Sequence, residues 1–382
     1  MKQTSAERPV GAGERILALD VLRGFAMLGV LIAYCAWSLG TAPPEQWTPL
    51  DKTLEPVLGF LIDGKFYTIL AFLFGYGFSI QLGRASRDAG AVQIYSRRLV
   101  ALAAIGLAHA LLLRNGDILL PYALTGFLLI PLRRASDRIL IVVALVAMMI
   151  PHLARVAIAA SGAAMPERPD MVGSPYLVEN AAWVSYWYSI AIFTWPLNLT
   201  LFLFGFAAGR RTLLSRVASA RGQLIAIAAA GLVGSGVLFF AMNHVAEIVP
   251  EALARDLPTL LFSFHCWCMS SAYAALLLLA LRTGGGKMAL APLAAIGRMA
   301  LTNYLMQAAV IVPLCLLFGL FDTFTPTKAL ILAGSLFVLI QIPFSLIWLR
   351  HFHFGPAEWF WRLLTYGRLP PLRRGREEFA PI

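Results

Sequence analysis

The 382 residues predict an all-α, polytopic integral membrane protein of about ten transmembrane helices, with a further C-terminal interfacial helix, and three observations predict it. Hydrophobic residues make up 59% of the chain and charged residues 13%, against about 45–50% and 25% in soluble proteins. The apolar residues gather into runs near the roughly 20 residues that a helix needs to cross a bilayer core of about 30 Å. The basic residues fall on alternate loops between those runs. A lipid bilayer is therefore the first partner, and one transmembrane unit spans residues 1–382.

The apolar runs lie near 16–39, 65–82, 99–113, 118–132, 139–160, 183–208, 224–245, 257–281, 294–320 and 328–349. They are rich in Ala, Leu, Gly and Phe without a ten-residue alternation, which favours helices over a barrel. The third and fourth are short and are joined by Arg114-Asn115-Gly116-Asp117, a tight hairpin. Segment 54–64 either extends the second span or lies on the surface. With the N-terminus placed in the cytoplasm, 22 of the 31 Lys and Arg residues fall in cytoplasmic segments, six outside and three within spans. This is the positive-inside pattern. It predicts that both termini are cytoplasmic, with a tail at 1–15 and a basic segment at 350–382. The +11 net charge is thus topological and gives no case for nucleic acid. The first apolar stretch is too long for a cleaved signal.

Charges inside lipid are costly and default to function or to pairing. Asp20 and Arg23 share a face of the first helix as a structural ion pair. In the hairpin, His109 and Asp117 form either a capped turn with an interhelical donor or a base and its orienting carboxylate. Asp63, Arg155 and His265, with Lys65 and His152, sit in the outer half and suggest an outward polar chamber. In the ninth span Arg298, Thr302, Asn303 and Gln307 form a polar stripe, either interhelical glue or a lined path. Phe-Leu-Phe-Gly occurs at 72–75 and again at 202–205, as a weak internal repeat or a shared packing rule. In the tail, Pro356, Glu358 and Gly367 mark the start and end of an interfacial helix. The four cysteines and six histidines show no metal-ligand spacing. No phosphate-binding, dinucleotide, zinc-protease or serine-hydrolase motif occurs.

The segments "LDVLRGFAMLGV", "FLFGYGFSIQLGR", "GLAHALLLRNGDILLPYALTG", "GRMALTNYLMQ" and "GPAEWFWRLLTYG" together resemble the YeiB-like family of bacterial inner-membrane proteins. The C-terminal half of that family is domain-of-unknown-function family 418. The resemblance covers nearly the whole chain. The family is in turn similar to transmembrane acyltransferases, whose "D-x-x-R-G" start resembles Asp20 to Gly24. That likeness implies transfer of an acyl group from a cytoplasmic donor, acyl-CoA, to an extracytoplasmic sugar or envelope acceptor, and it implies a homodimer. The acyltransferases carry a histidine at the outer end of the first helix or in the loop after it. Here those places hold Tyr34-Cys35 and Gln46-Trp47-Thr48.

Acyl transfer is accordingly expected to use His109 as base and Asp117 as its orienter. Arg155 or Arg298 would hold an anionic donor or acceptor, Asn303 would donate a hydrogen bond, and Asp63 and His265 would contact substrate. Two other expectations stand beside it: a transporter or exporter of a small metabolite or lipid, and a non-catalytic membrane partner.

Overall fold

The computed structural model describes residues 17–85, 89–170, 174–214, 218, 220–249 and 256–374. The tail at 1–15 and the end of the basic segment beyond 374 lie outside the described residues. The first half contains α1 (Leu17–Ala33), α2 (Pro49–Leu61), α3 (Lys65–Ala85), α4 (Ala89–Leu112), α5 (Leu119–Phe127), α6 (Leu129–Leu132) and α7 (Asp137–Ser161). There follow α8 (Tyr176–Ser189), α9 (Trp195–Arg210), α10 (Arg221–His244), α11 (Leu257–Ala280), α12 (Gly284–Arg298) and α13 (Ala300–Phe318). The chain ends with α14 (Pro326–Ser335), α15 (Ile342–His351) and α16 (Pro356–Tyr366).

The protein is an all-helical polytopic membrane protein. Among the described residues, eight helical segments are long and apolar enough to cross a bilayer, fewer than the ten apolar runs. Run 118–132 is divided into α5 and the single turn of α6. Run 183–208 is interrupted by a 3-10 turn at Ala191–Phe193, so α8 ends before α9 begins. Pro196 sits in the first turn of α9, where its missing N–H costs nothing. Residues 54–61 of that segment belong to α2, and a turn at 62–64, with Gly64 at φ +76°, separates it from α3.

Glycine sets how closely the spans approach. A Cβ on Gly75 would stand 1.9 Å from the Phe202 carbonyl oxygen, and one on Gly205 would stand 2.0 Å from that of Phe72. The two Phe-Leu-Phe-Gly segments therefore meet each other, each glycine receiving the backbone of the other's first phenylalanine. Phe74 and Phe202 stack beside this crossing at 4.6 Å. The repeated phrase is a reciprocal small-residue contact, the device by which helices pack tightly in lipid. Helices α1 and α12 cross in the same way. Cβ atoms on Gly24 and Gly297 would each lie 1.8 Å from a carbonyl oxygen, of Leu293 and Asp20 respectively.

The loop-side arginines tie one end of the bundle together. Arg210 donates to the carbonyls of Arg133 and Ala135, and Arg211 pairs with Asp137 at 2.7 Å. Arg282 donates to the Ala218 carbonyl at 2.6 Å. Helix α16 packs at this basic end, starting after Gly355 and closing on Gly367 at φ +64°. Trp361 Nε1 donates to the Arg98 carbonyl, while the Arg98 guanidinium lies 4.0 Å from the Trp361 ring centre.

The glycine crossings make a direct test. Gly205→Ala should lower the thermal unfolding midpoint of the detergent-purified protein by the equivalent of about 1–3 kcal/mol of overpacking. Gly77→Ala, where nothing lies within 4 Å of an added Cβ, should leave the midpoint unchanged.

Candidate active site

The α4–α5 hairpin buries two ionisable side chains against each other. His109 Nδ1 lies 2.9 Å from Asp117 Oδ1, and the two side chains are 1% and 2% exposed. Local sequence explains the approach. Gly106, one turn before His109, presents no side chain; a Cβ there would stand 2.5 Å from Leu120 N and 2.8 Å from Asp117 Oδ2. Asp117 also accepts the Leu120 N–H through Oδ2 at 2.7 Å, which satisfies one orphan donor of the new helix.

A third group completes the cluster from α13. The Tyr304 hydroxyl donates to Asp117 Oδ1 at 3.1 Å and accepts the Ile118 N–H at 3.1 Å. Its ring centre is 4.9 Å from that of His109. The carboxylate thus gathers three donors: His109 Nδ1–H, Tyr304 O–H and Leu120 N–H. His109 Nε2, buried, has no hydrogen-bond partner. Helix α8 closes the hairpin from outside. Tyr176 O–H donates to the Leu113 carbonyl, Asn180 bonds Asn115 and the Leu111 carbonyl, and Arg114 reaches Ser38.

Tyr304 also lines the inner end of a partly open cavity of about 270 Å³ that extends toward the basic end. Its walls are apolar where Leu70, Phe74, Leu99 and Leu102 meet, and four arginines contribute to its lining: Arg23, Arg98, Arg298 and Arg362. Glu358 is its carboxylate among the described lining residues. This side chain accepts Leu301 N–H at 2.7 Å, Thr302 N–H at 3.1 Å and the Thr302 hydroxyl. It therefore caps the start of α13, where Met299 breaks the chain away from α12. Burial raises the Glu358 pKa above the ordinary carboxylate range, while the Thr302 and Leu301 hydrogen bonds pull it back down.

The other expected site residues are dispersed. Asp20 and Arg23 form their pair at 3.2 Å, and Arg23 reaches the cavity. Arg298 is also at the cavity. Asn303 is consumed by structure, its amide donating to the Met299 carbonyl, the Ile296 carbonyl and Ser345 Oγ. Gln307 similarly bonds the Met27 carbonyl, so these two stripe residues bind helices together.

The expected outward chamber does not assemble around the remaining three. Asp63 is exposed, and its carbonyl accepts the Cys266 thiol. His265 packs among Phe60, Phe239 and Phe262 with Nδ1 against Ser235. Arg155 faces Asp256 at 3.9 Å and the Phe193 ring. Their neighbours lie on different helices, so the three do not line one space. Tyr304 escaped the sequence reading because a phenol in a hydrophobic span reads as core. Its place within the stripe of Thr302, Asn303 and Gln307 was the available signal. Arg98 and Arg362 read only as basic loop residues.

Asp117→Ala leaves three buried donors without their acceptor, each costing about 1–3 kcal/mol. It should lower the unfolding midpoint far more than Tyr304→Phe, which removes a single donor. Equal losses in thermal melts of the two variants would contradict the central place given to Asp117.

Comparison with known proteins agrees with this whole-chain architecture. Residues 208–368 match the family described as protein of unknown function, DUF418. The chain is 30% identical to the uncharacterized protein YxaH of Bacillus subtilis (strain 168), with 97% of this chain and 99% of that protein aligned. It is 29% identical to an uncharacterized 39.9 kDa protein in the amylase 3' region of Bacillus acidopullulyticus, over 97% and 99% of the two chains. Identity to the uncharacterized protein YeiB of Escherichia coli (strain K12) is 29%, over 92% and 96%. No solved structure matches. With relatives aligned over nearly their whole length, the chain belongs to the YeiB-like, DUF418 family.

Proposed function

We propose that the protein is a membrane acyltransferase in which His109 acts as general base and Asp117 as its orienting carboxylate. The observation that carries this reading is the buried His109–Asp117 pair, with Nε2 unpartnered, in contact with Tyr304, which lines a cavity. Hydrogen bonding of Nδ1–H to Asp117 leaves the lone pair on Nε2, the arrangement by which a histidine accepts a proton. Tyr304 and Leu120 hold the carboxylate in place.

In the reaction, Nε2 takes the proton from an acceptor hydroxyl or amine as its oxygen or nitrogen attacks the acyl carbonyl carbon. The bond to the donor sulfur breaks, and the thiolate leaves. Acyl-CoA is the donor that this reading calls for, and a sugar or envelope component the acceptor. The positive-inside distribution of arginines supports an inner-membrane orientation with the basic end and both termini in the cytoplasm. The donor then enters by the cavity and the acceptor approaches from the hairpin end. A transport reading draws no support from the paired Phe-Leu-Phe-Gly segments, which serve as a packing contact.

The test is transfer of a radiolabelled acetyl group from acetyl-CoA by the purified protein, with membrane glycans as acceptors. His109→Ala should lower the rate by about 10²–10⁴-fold, the usual contribution of a positioned base. Tyr304→Phe should lower it less, because Nε2 remains. A His109→Ala protein that transfers at the wild-type rate would overturn the assignment.

A further inference from the structure

The His109–Asp117 site leaves one polar cluster unused. Helix α7 carries His152 and Arg155, three residues apart and so on one face. Asp256, at the start of α11, brings Oδ1 to 3.9 Å from Arg155 Nη1. On the 3-10 turn between α8 and α9, the Phe193 ring centre lies 5.2 Å from the Arg155 guanidinium. The charges of Arg155 and Asp256 both act on His152, so side chains from two helices and a turn share one locality.

What sets this cluster apart is hydrogen bonding left undone. His152 is 6% exposed, and neither of its ring nitrogens has a hydrogen-bond partner. Arg155 Nη1 and Asp256 Oδ1 are also buried and without one, because 3.9 Å is beyond hydrogen-bond reach. Each buried polar group left in that condition costs about 1–3 kcal/mol. The place is not sealed, since the Arg155 and Asp256 side chains keep 29% and 15% exposure.

The donors and acceptors select the ligand. A guanidinium nitrogen only donates, an ionised carboxylate oxygen only accepts, and a neutral imidazole does one of each. A bare anion would be repelled by Asp256 and a bare cation by Arg155. A hydroxyl both accepts and donates, and its oxygen can reach two atoms 3.9 Å apart at ordinary hydrogen-bond lengths. A second hydroxyl on the next carbon would stand beside His152, one turn back along the same face.

We propose that His152, Arg155 and Asp256 bind a neutral vicinal diol. One hydroxyl bridges Arg155 Nη1 to Asp256 Oδ1, and the other bonds His152, while Phe193 holds the guanidinium plane. Two sources carry this group, a sugar and the glycerol headgroup of phosphatidylglycerol. Binding stands on the cluster alone; only a role for the bound diol as acyl acceptor rests on the acyl-transfer reading. The chain connects the two places. Tyr188, five residues before Phe193, has a buried hydroxyl without a partner and lies within electrostatic reach of Asp117.

The experiment measures binding to the full-length protein in a polyoxyethylene detergent, which carries no vicinal diol. Glucose is titrated calorimetrically. Retention of phosphatidylglycerol against phosphatidylethanolamine, which lacks the diol, is read by native mass spectrometry. Arg155→Gln and Asp256→Ala should each weaken the bound species by about tenfold, the loss of one charge-assisted contact. Asp256 makes no side-chain capping bond to α11, so its removal spares the helix start. His152→Phe separates binding from folding. An apolar ring in place of two unpartnered nitrogens should hold or raise the unfolding midpoint, and it should still weaken binding about tenfold. Glucose binding that falls in these variants assigns the sugar, and a lost preference for phosphatidylglycerol assigns the lipid. Absence of binding by both probes, or binding unchanged in His152→Phe, overturns the proposal. Binding that depends on His152, with no acyl transfer by the wild-type protein, would sink the acyl-transfer reading and leave this one standing. Transfer that depends on His109, with neither probe bound, would do the reverse.

Discussion

Hydrocarbon accepts no hydrogen bond and solvates no charge, so a polar side chain inside the bundle must find its partner in the protein. This constraint arranges most of what is seen. His109, Asp117 and Tyr304 satisfy one another across α4, α5 and α13. Gln307, Gln341 and Asn303 do the same across α13 and the π-turn at Leu336–Gln341, and that turn brings the fully buried Gln341 to the Asn303 carbonyl. His265 turns to Ser235. What marks the candidate active site is a buried histidine paired with a buried carboxylate. His109 satisfies one ring nitrogen through Asp117 and leaves the other, buried, without a partner, and Tyr304, which bonds Asp117, lines the cavity.

The close approach of helices serves the same end. Glycine at 24, 75, 205 and 297 lets backbones touch, so α1, α3, α9 and α12 form a tight frame. Gly106 does this within the hairpin, admitting Asp117 beside α4. A larger residue would drive apart the helices that bring His109 and Asp117 together. The frame also leaves α12 and α13 as separate helices, and the break at Met299 exposes N–H groups that Glu358 of α16 accepts. Thus α16 is bound to the bundle by a polar contact at the cavity wall as well as by the apolar and cation–π contact of Trp361 with Arg98.

Much of this was legible in the residues, for physical reasons that can be named. Membrane class and helical form follow from 59% hydrophobic residues in runs matched to bilayer thickness. The His109–Asp117 pair was legible because a tight hairpin places two nearby positions together whatever else the chain does. Asp20 and Arg23 were legible because three residues on a helix share a face. What depended on tertiary convergence was not. Asp63, Arg155 and His265 occur at similar depth on different helices, and depth says nothing of the direction each one faces. The cavity escaped notice for the converse reason. Arg98, Arg298, Arg362 and Glu358 come from α4, α12 and α16, and only the packed bundle gathers them. The break at Ala191–Phe193 within 183–208 was likewise not legible, because hydropathy runs continuously across it.

The central claim is that the buried His109–Asp117 pair works as a base and its orienting carboxylate. The measurement that tests it most directly is an electron cryomicroscopy structure of the protein saturated with a non-transferable acyl-CoA analogue. The account predicts the acyl carbonyl against His109 Nε2. Ligand density whose acyl group lies away from His109 would contradict it.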